Sequence, residues 1–139
     1  MRNWRAGASR ALRLLLDTHA LIWWLGGDRS LSRPARDAIA DTANTVLVSA
    51  ASAWEISTKH RSGKLPLAGA LEADLAGALA AQGFAGLPIS LRHGEAAGRL
   101  PGPHKDPFDR MLVAQALAEG LVLVSNEAAF DAYGVTRLW

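Results

Sequence analysis

Acidic side chains recur where apolar runs end or where helices begin, and they come from well-separated parts of the chain. Asp17 follows Leu14-Leu15-Leu16 directly, and Glu55 lies one turn into the helical stretch after Thr45–Ser49. Asp106 and Asp109 flank Pro107-Phe108, and Glu127 follows Leu123-Val124-Ser125-Asn126. In open α/β sheets, ligands bind outside the carboxyl ends of the strands, close to where the strand order reverses. Carboxylates gathered on such a rim repel one another and raise each other's pKa unless a cation neutralises them. The chain has no cysteine, and His19, His60, His93 and His104 lack the three-to-five-residue spacing of a zinc pair. A hard-oxygen donor set of this kind selects Mg²⁺ or Mn²⁺. A divalent ion held there activates water and stabilises a leaving oxygen, which is the chemistry of phosphodiester hydrolysis.

Each residue also has a plainer use. Asp17 fits an N-cap for a helix starting at Thr18, and Asp106 before Pro107 fits another. Glu55 and Lys59 stand at i,i+4, the spacing of a helix-surface ion pair. Asp109 and Glu127 sit where a negative charge favours a helix dipole. Ser125 orients a water or satisfies local backbone, and His19, beside Asp17, is a secondary contact. Trp54 is read as core rather than as a base-stacking platform. Of the adjacent Trp23 and Trp24, at least one belongs to the core or to a partner surface.

The elements that must position these residues alternate in type. Leu14–Leu16 reads as a buried parallel strand because it is apolar on both faces. Helices are expected over 18–25, ended by Gly26-Gly27, and over 32–41, with Pro34 in the first turn. A β-branched strand over 45–49 leads into a helix over 50–61. One alanine- and leucine-rich helix is expected over 67–82, then a brief strand over 87–90 and a helix over 91–100. A helix from Asp106 to Glu119, a buried strand over 121–125, a short helix over 127–133 and a last strand over 136–138 complete the pattern. Strands separated by helices specify a three-layer α/β/α sandwich around a mostly parallel central sheet.

The chain has 139 residues, half of them hydrophobic and a fifth charged, which suits one domain with a real core and excludes a disordered tail as its main content. No apolar run approaches the roughly 18 residues of a membrane span. Arg2, Arg5 and Arg10 precede too short an apolar stretch for a signal peptide, so the cytoplasm is the expected compartment. Residues 1–12 read as a basic N-terminal arm, disordered or the product of an upstream start codon, ahead of a domain over 13–139. The net charge of +2 neither marks nor excludes a nucleic-acid partner.

Four blocks in order carry a family resemblance. Leu14-Leu15-Leu16-Asp17-Thr18-His19 resembles the opening motif of PIN-domain proteins, particularly bacterial VapC-type toxins. Ser49 to Ile56 resembles the second motif, whose glutamate is here Glu55. Asp106 to Ala116 resembles the third, and Leu123 to Glu127 followed by Phe130 to Val135 resembles the fourth and the closing strand. The likeness spans about residues 13–139.

This resemblance implies a PIN-like sandwich and a Mg²⁺- or Mn²⁺-dependent endoribonuclease, the toxin of a toxin–antitoxin pair. Asp17, Glu55 and Asp109 fall on the family's acidic positions, whereas Glu127 stands where many members have aspartate. Asp17 and Asp109 are then the direct metal ligands, with Glu55 and Glu127 reaching the ion through water and Asp106, Ser125 and His19 secondary. The implied partners are RNA, a VapB-like antitoxin anchored near Ile22, Trp23 and Trp24, and a second copy in a homodimer. The alternative is a catalytically inactive PIN-like module that binds RNA or protein. A haloacid-type phosphatase is set aside because it needs an aspartate where His19 stands.

Overall fold

The computed structural model describes residues 11–139; most of the expected arm over 1–12 lies outside them. Leu12 is described. Its backbone N–H donates to Asn44 Oδ1 at 2.9 Å, its carbonyl accepts from Thr45, and its side chain packs on the core.

Five strands form one sheet: β1 (Arg13–Leu16), β2 (Thr45–Ser49), β3 (Ala85–Leu87), β4 (Val122–Val124) and β5 (Thr136–Leu138). Their order is β3-β2-β1-β4-β5, and every pairing is parallel. The sheet is thus wholly parallel where a mostly parallel one was expected. Parallel neighbours require crossovers, and α1 (Thr18–Gly26) with α2 (Arg33–Ala40) connects β1 to β2. The connection from β2 to β3 runs through α3 (Ala50–Arg61), α4 (Gly69–Ala73) and α5 (Leu75–Ala81). The chain then returns past β1 through α6 (Leu91–Arg99) and α7 (Pro107–Glu119) to β4, and a 3₁₀ helix (Ala128–Tyr133) leads to β5. The strand order reverses between β1 and β4, so the carboxyl ends of those two strands mark the switch point.

Strand alternation divides the core between the two faces of the sheet. Leu14, Leu16, Val46, Val48 and Val124 meet Ala20, Leu21, Ala35, Ile39, Ile56 and Leu79 on one side. Leu15 and Leu123 meet Leu112, Val113, Ala116 and Phe130 on the other. Leu14, Leu15 and Leu16 are all fully buried, which is why this strand carries no polar residue between the exposed Arg13 and Asp17.

Two expected elements are corrected. The helix over 67–82 is two helices broken at Asp74, whose extended backbone (φ −158°) lets its carboxylate cap α5 through Gly77 N–H. Alanine and leucine propensity favoured a continuous helix, and the cap outweighs it. The third strand lies at Ala85–Leu87 rather than over 87–90. Its register pairs Leu47 with Ala85 and Ser49 with Leu87, and Pro88, with no N–H to donate, ends the ladder.

Candidate active site

Asp17 leaves β1 at the switch point. Its backbone N–H donates to Val124 O at 3.0 Å, and its Oδ1 accepts from Ala20 N–H at 2.7 Å as the N-cap of α1. Ser125, at the end of β4, hydrogen-bonds the same carboxylate, and the serine Oγ also accepts from Glu127 N–H at 3.0 Å. With only 5 % of its surface exposed, Asp17 has its carboxyl pushed up from the ordinary aspartate range, chiefly by burial. The bonds from Ser125 and Ala20 and the His19 charge pull it down, and the charge on Asp109 pushes it up again.

Glu55 enters from α3 and is 6 % exposed. Its Oε2 accepts from Lys59 Nζ at 2.7 Å. Thr18 Oγ1 donates to Ser52 Oγ at 3.1 Å, which ties the start of α1 to the turn of α3 that carries Glu55. The Lys59 ammonium is raised, first by this hydrogen bond, against burial, and then by the charges of Glu55, Asp106 and Asp109. Three carboxylates therefore act on one cation.

Asp109 lies in the first turn of α7. Asp106 caps that helix, its Oδ1 accepting from Phe108 N–H at 2.9 Å and from Asp109 N–H at 3.1 Å. Burial pushes the Asp109 carboxyl up, its bond to His104 Nε2 (2.8 Å) pulls it down, and the charges of Asp106 and Glu55 push it up. His104 is itself fixed: its ring meets Phe130 edge-on at 5.4 Å, its N–H donates to the Tyr133 hydroxyl, and its carbonyl accepts from Arg110 Nη1. Arg110 also donates to the carbonyls of Ala97 and Leu100, pinning the loop before α7.

The structure thus brings Asp109 into electrostatic range of both Asp17 and Glu55, three acids from three elements, with Asp106 beside Asp109. Glu127 is exposed and turned to local use, its Oε1 accepting from Ala129 N–H at 3.3 Å as the cap of the 3₁₀ helix, and its charge acts on Arg137. His19 is exposed and stacks on Trp23 at 5.5 Å. Trp23 and Trp24 are half-buried against the core, Trp24 donating from Nε1 to Gln82 Oε1 at 3.0 Å. Trp54, expected in the core, is 64 % exposed. Sequence reasoning passed over His104, five residues before Asp109 and just after Pro101-Gly102-Pro103; no spacing rule signals such a contact.

Among the described residues, no three His, Asp or Glu side chains stand ready around one point: Lys59 draws Glu55 and His104 draws one oxygen of Asp109. The donors at Asp17 and Asp109 are nonetheless hard oxygens, both burdened by burial and by neighbouring carboxylates, Asp109 acting on Asp17 and Asp106 and Glu55 acting on Asp109. Their chemistry fits a Mg²⁺ or Mn²⁺ ion.

The PIN-domain family model matches residues 14–135, and so takes in every acid of the rim. The chain belongs to the PIN-domain family. Solved structures share the fold at low identity. VapBC2 from Rickettsia felis, bound to a DNA fragment from its promoter, is 16 % identical with a TM-score of 0.67 over 91 % of this chain and 97 % of that one. DNA-bound VapBC from Salmonella typhimurium is 19 % identical with a TM-score of 0.65 over 91 % and 96 %. VapBC-1 from nontypeable Haemophilus influenzae is 14 % identical with a TM-score of 0.61 over 91 % and 96 %. No curated protein matches the chain significantly. Among the described residues of this PIN domain, no helix is long and apolar enough to cross a membrane.

Proposed function

We propose that this PIN domain is a Mg²⁺- or Mn²⁺-dependent endoribonuclease and the toxin of a toxin–antitoxin pair. The observation that carries the reading is the electrostatic coupling of Asp17, Glu55 and Asp109 at the switch point of a wholly parallel sheet. Crowded buried carboxylates raise the free energy of the folded chain, and a site that binds a cation is the arrangement in which that cost is offset. The bound ion supplies charge neutralisation and polarises water and phosphate for attack. Asp17 and Asp109 would hold it. Glu55, paired with Lys59 at 2.7 Å, would serve as the base that takes a proton from the attacking water. Ser125 and the Ala20 N–H keep the Asp17 carboxylate in place, and His104 does the same for Asp109. Asp106 serves first as the cap of α7, and Glu127 contributes through water from the edge of the rim.

The toxin role rests on likeness in fold to the VapBC complexes, and it implies a VapB-like antitoxin, a homodimer and a cytoplasmic location. Purified protein should cut structured RNA with Mg²⁺ or Mn²⁺ and stop with EDTA, and Asp17→Asn should lower the rate by orders of magnitude while the circular dichroism spectrum stays unchanged. Undiminished cleavage in EDTA, with trace nuclease excluded, would overturn the mechanism.

A further inference from the structure

Trp54 presents most of its indole to solvent from α3, and its ring meets Phe108 of α7 edge-on at a centroid distance of 4.9 Å. Trp54 immediately precedes Glu55, and Phe108 immediately precedes Asp109. The aromatic pair therefore bridges the two helices that carry two of the rim's three acids. It forms part of the wall of a hollow of about 250 Å³ that also meets Ile89, Pro107 and Met111. Arg110 lines this hollow too, but its guanidinium is committed to the carbonyls of Ala97, Leu100 and His104. The wall thus offers ring faces and apolar surface with no free charge, which suits a nucleobase and not a phosphate. Positive charge for a strand's backbone stands at the rim itself. Lys105, exposed, adjoins Asp106, and Lys59, half-buried, has three donors of which Glu55 takes one.

We propose that Trp54 and Phe108 form a stacking platform for an unpaired nucleobase of the strand cut at the Asp17–Glu55–Asp109 rim, with Lys105 and Lys59 facing the flanking phosphates. The proposal rests on the nuclease reading above and names its substrate as single-stranded RNA. Proteins that bind single strands combine a cationic track with aromatic side chains that accept any base by its π face. Duplex RNA keeps its bases stacked on each other and cannot use such a platform.

The test is binding of a labelled single-stranded oligoribonucleotide and of a duplex to the Asp17→Asn protein, followed by kinetics on the otherwise native chain. Trp54→Ala should weaken single-strand binding about tenfold or more, leave duplex binding within twofold and raise KM with kcat little changed; Trp54→Phe should restore most of the affinity. Single-strand affinity and KM that stay within twofold in Trp54→Ala overturn the platform. So does a loss of affinity that sedimentation shows to follow from dissociation of a dimer, because Trp54 then belongs to an interface between copies. Cleavage that persists in Trp54→Ala with unchanged KM sinks the platform alone, whereas a native chain that never cuts RNA with metal sinks the nuclease reading beneath it.

Discussion

Replacing Asp17 by asparagine should raise the stability of the metal-free protein, although Asp17 is one of its most buried polar residues. Burial pushes the Asp17 carboxyl above its ordinary value despite the two bonds from Ser125 and Ala20. The native state therefore binds a proton more tightly than the unfolded chain does. For such a group the favourable contribution is complete below the unfolded value of 3.8 and is lost as pH rises through the higher folded value. Asparagine keeps an oxygen for Ala20 N–H and caps nearly as well as aspartate, but carries no charge to bury. The melting temperatures of the native chain and Asp17→Asn should then coincide near pH 3.5 and separate in favour of the variant as pH rises. Asp17→Ala removes the cap as well, which costs about 1 kcal/mol. A chain of this size unfolds with an entropy of roughly 0.3 kcal/mol/K, so Asp17→Ala should melt about 3–4 °C below Asp17→Asn at every pH. Divalent metal reverses the order. At a concentration a hundredfold above Kd, Mn²⁺ stabilises by about 2.7 kcal/mol, near 9 °C on the same scale, in the native chain and in neither variant. Scanning calorimetry over pH 3.5–7.5, with EDTA and with Mn²⁺, reads all of this. A variant that melts below the native chain at pH 7 in EDTA, or a gap that ignores pH, would refute the account.

Asp106 and Asp109 should separate by substitution. Asp106→Ser should keep most RNA cleavage because serine replaces the cap of α7, while Asp109→Ser should abolish cleavage because a neutral hydroxyl is a poor metal ligand; equal losses in a cleavage assay would mean that Asp106 belongs to the machinery. Lys59→Met should lower the melting temperature in EDTA, because it strips a buried glutamate of its partner, and should enlarge the stabilisation that Mn²⁺ gives; a smaller metal response would show that Lys59 orients Glu55 for the ion rather than competing with it.

The elements that hold the rim were legible where one signal dominated. Leu14-Leu15-Leu16 is apolar on both faces, and only a buried parallel strand accommodates that. Asp106-Pro107 and Ser32-Arg33-Pro34 announce helix starts, and both are capped as expected. Legibility failed where tertiary contacts decide. The break at Asp74 competes with a strong local preference for helix. Strand β3, Ala85-Gly86-Leu87, has almost no strand signal of its own and exists because β2 offers it a ladder. Trp54 shares its helix with Ala51 and Ile56, which are buried, and apolar character alone put it with them. At 100° per residue, however, it stands nearly opposite Ile56, and on the side it shares with Ala51 its longer side chain reaches out to Phe108.

Cap and acid, which compete as explanations of Asp17 and Asp106 in the sequence, are one arrangement in the fold. A parallel sheet sends each strand's carboxyl end toward the amino end of a following helix, where unpaired N–H groups and the helix dipole favour negative charge. Ala20 N–H serves Asp17, Phe108 and Asp109 N–H serve Asp106, and Ala129 N–H serves Glu127. Those donors let a rim crowded with carboxylates persist in a chain of net charge +2. They do not complete the neutralisation, since the Asp17 and Asp109 carboxyls remain above their ordinary values. Asp17 is the more deeply buried of the two, and no lysine or arginine acts on it. Glu55 has Lys59 and Asp109 has His104, whereas Asp17 has a hydroxyl, a peptide N–H and the exposed His19. On the proposed reading, a cation from solvent would settle beside Asp17 at the switch point between β1 and β4, where it would offset the charge that burial makes costly.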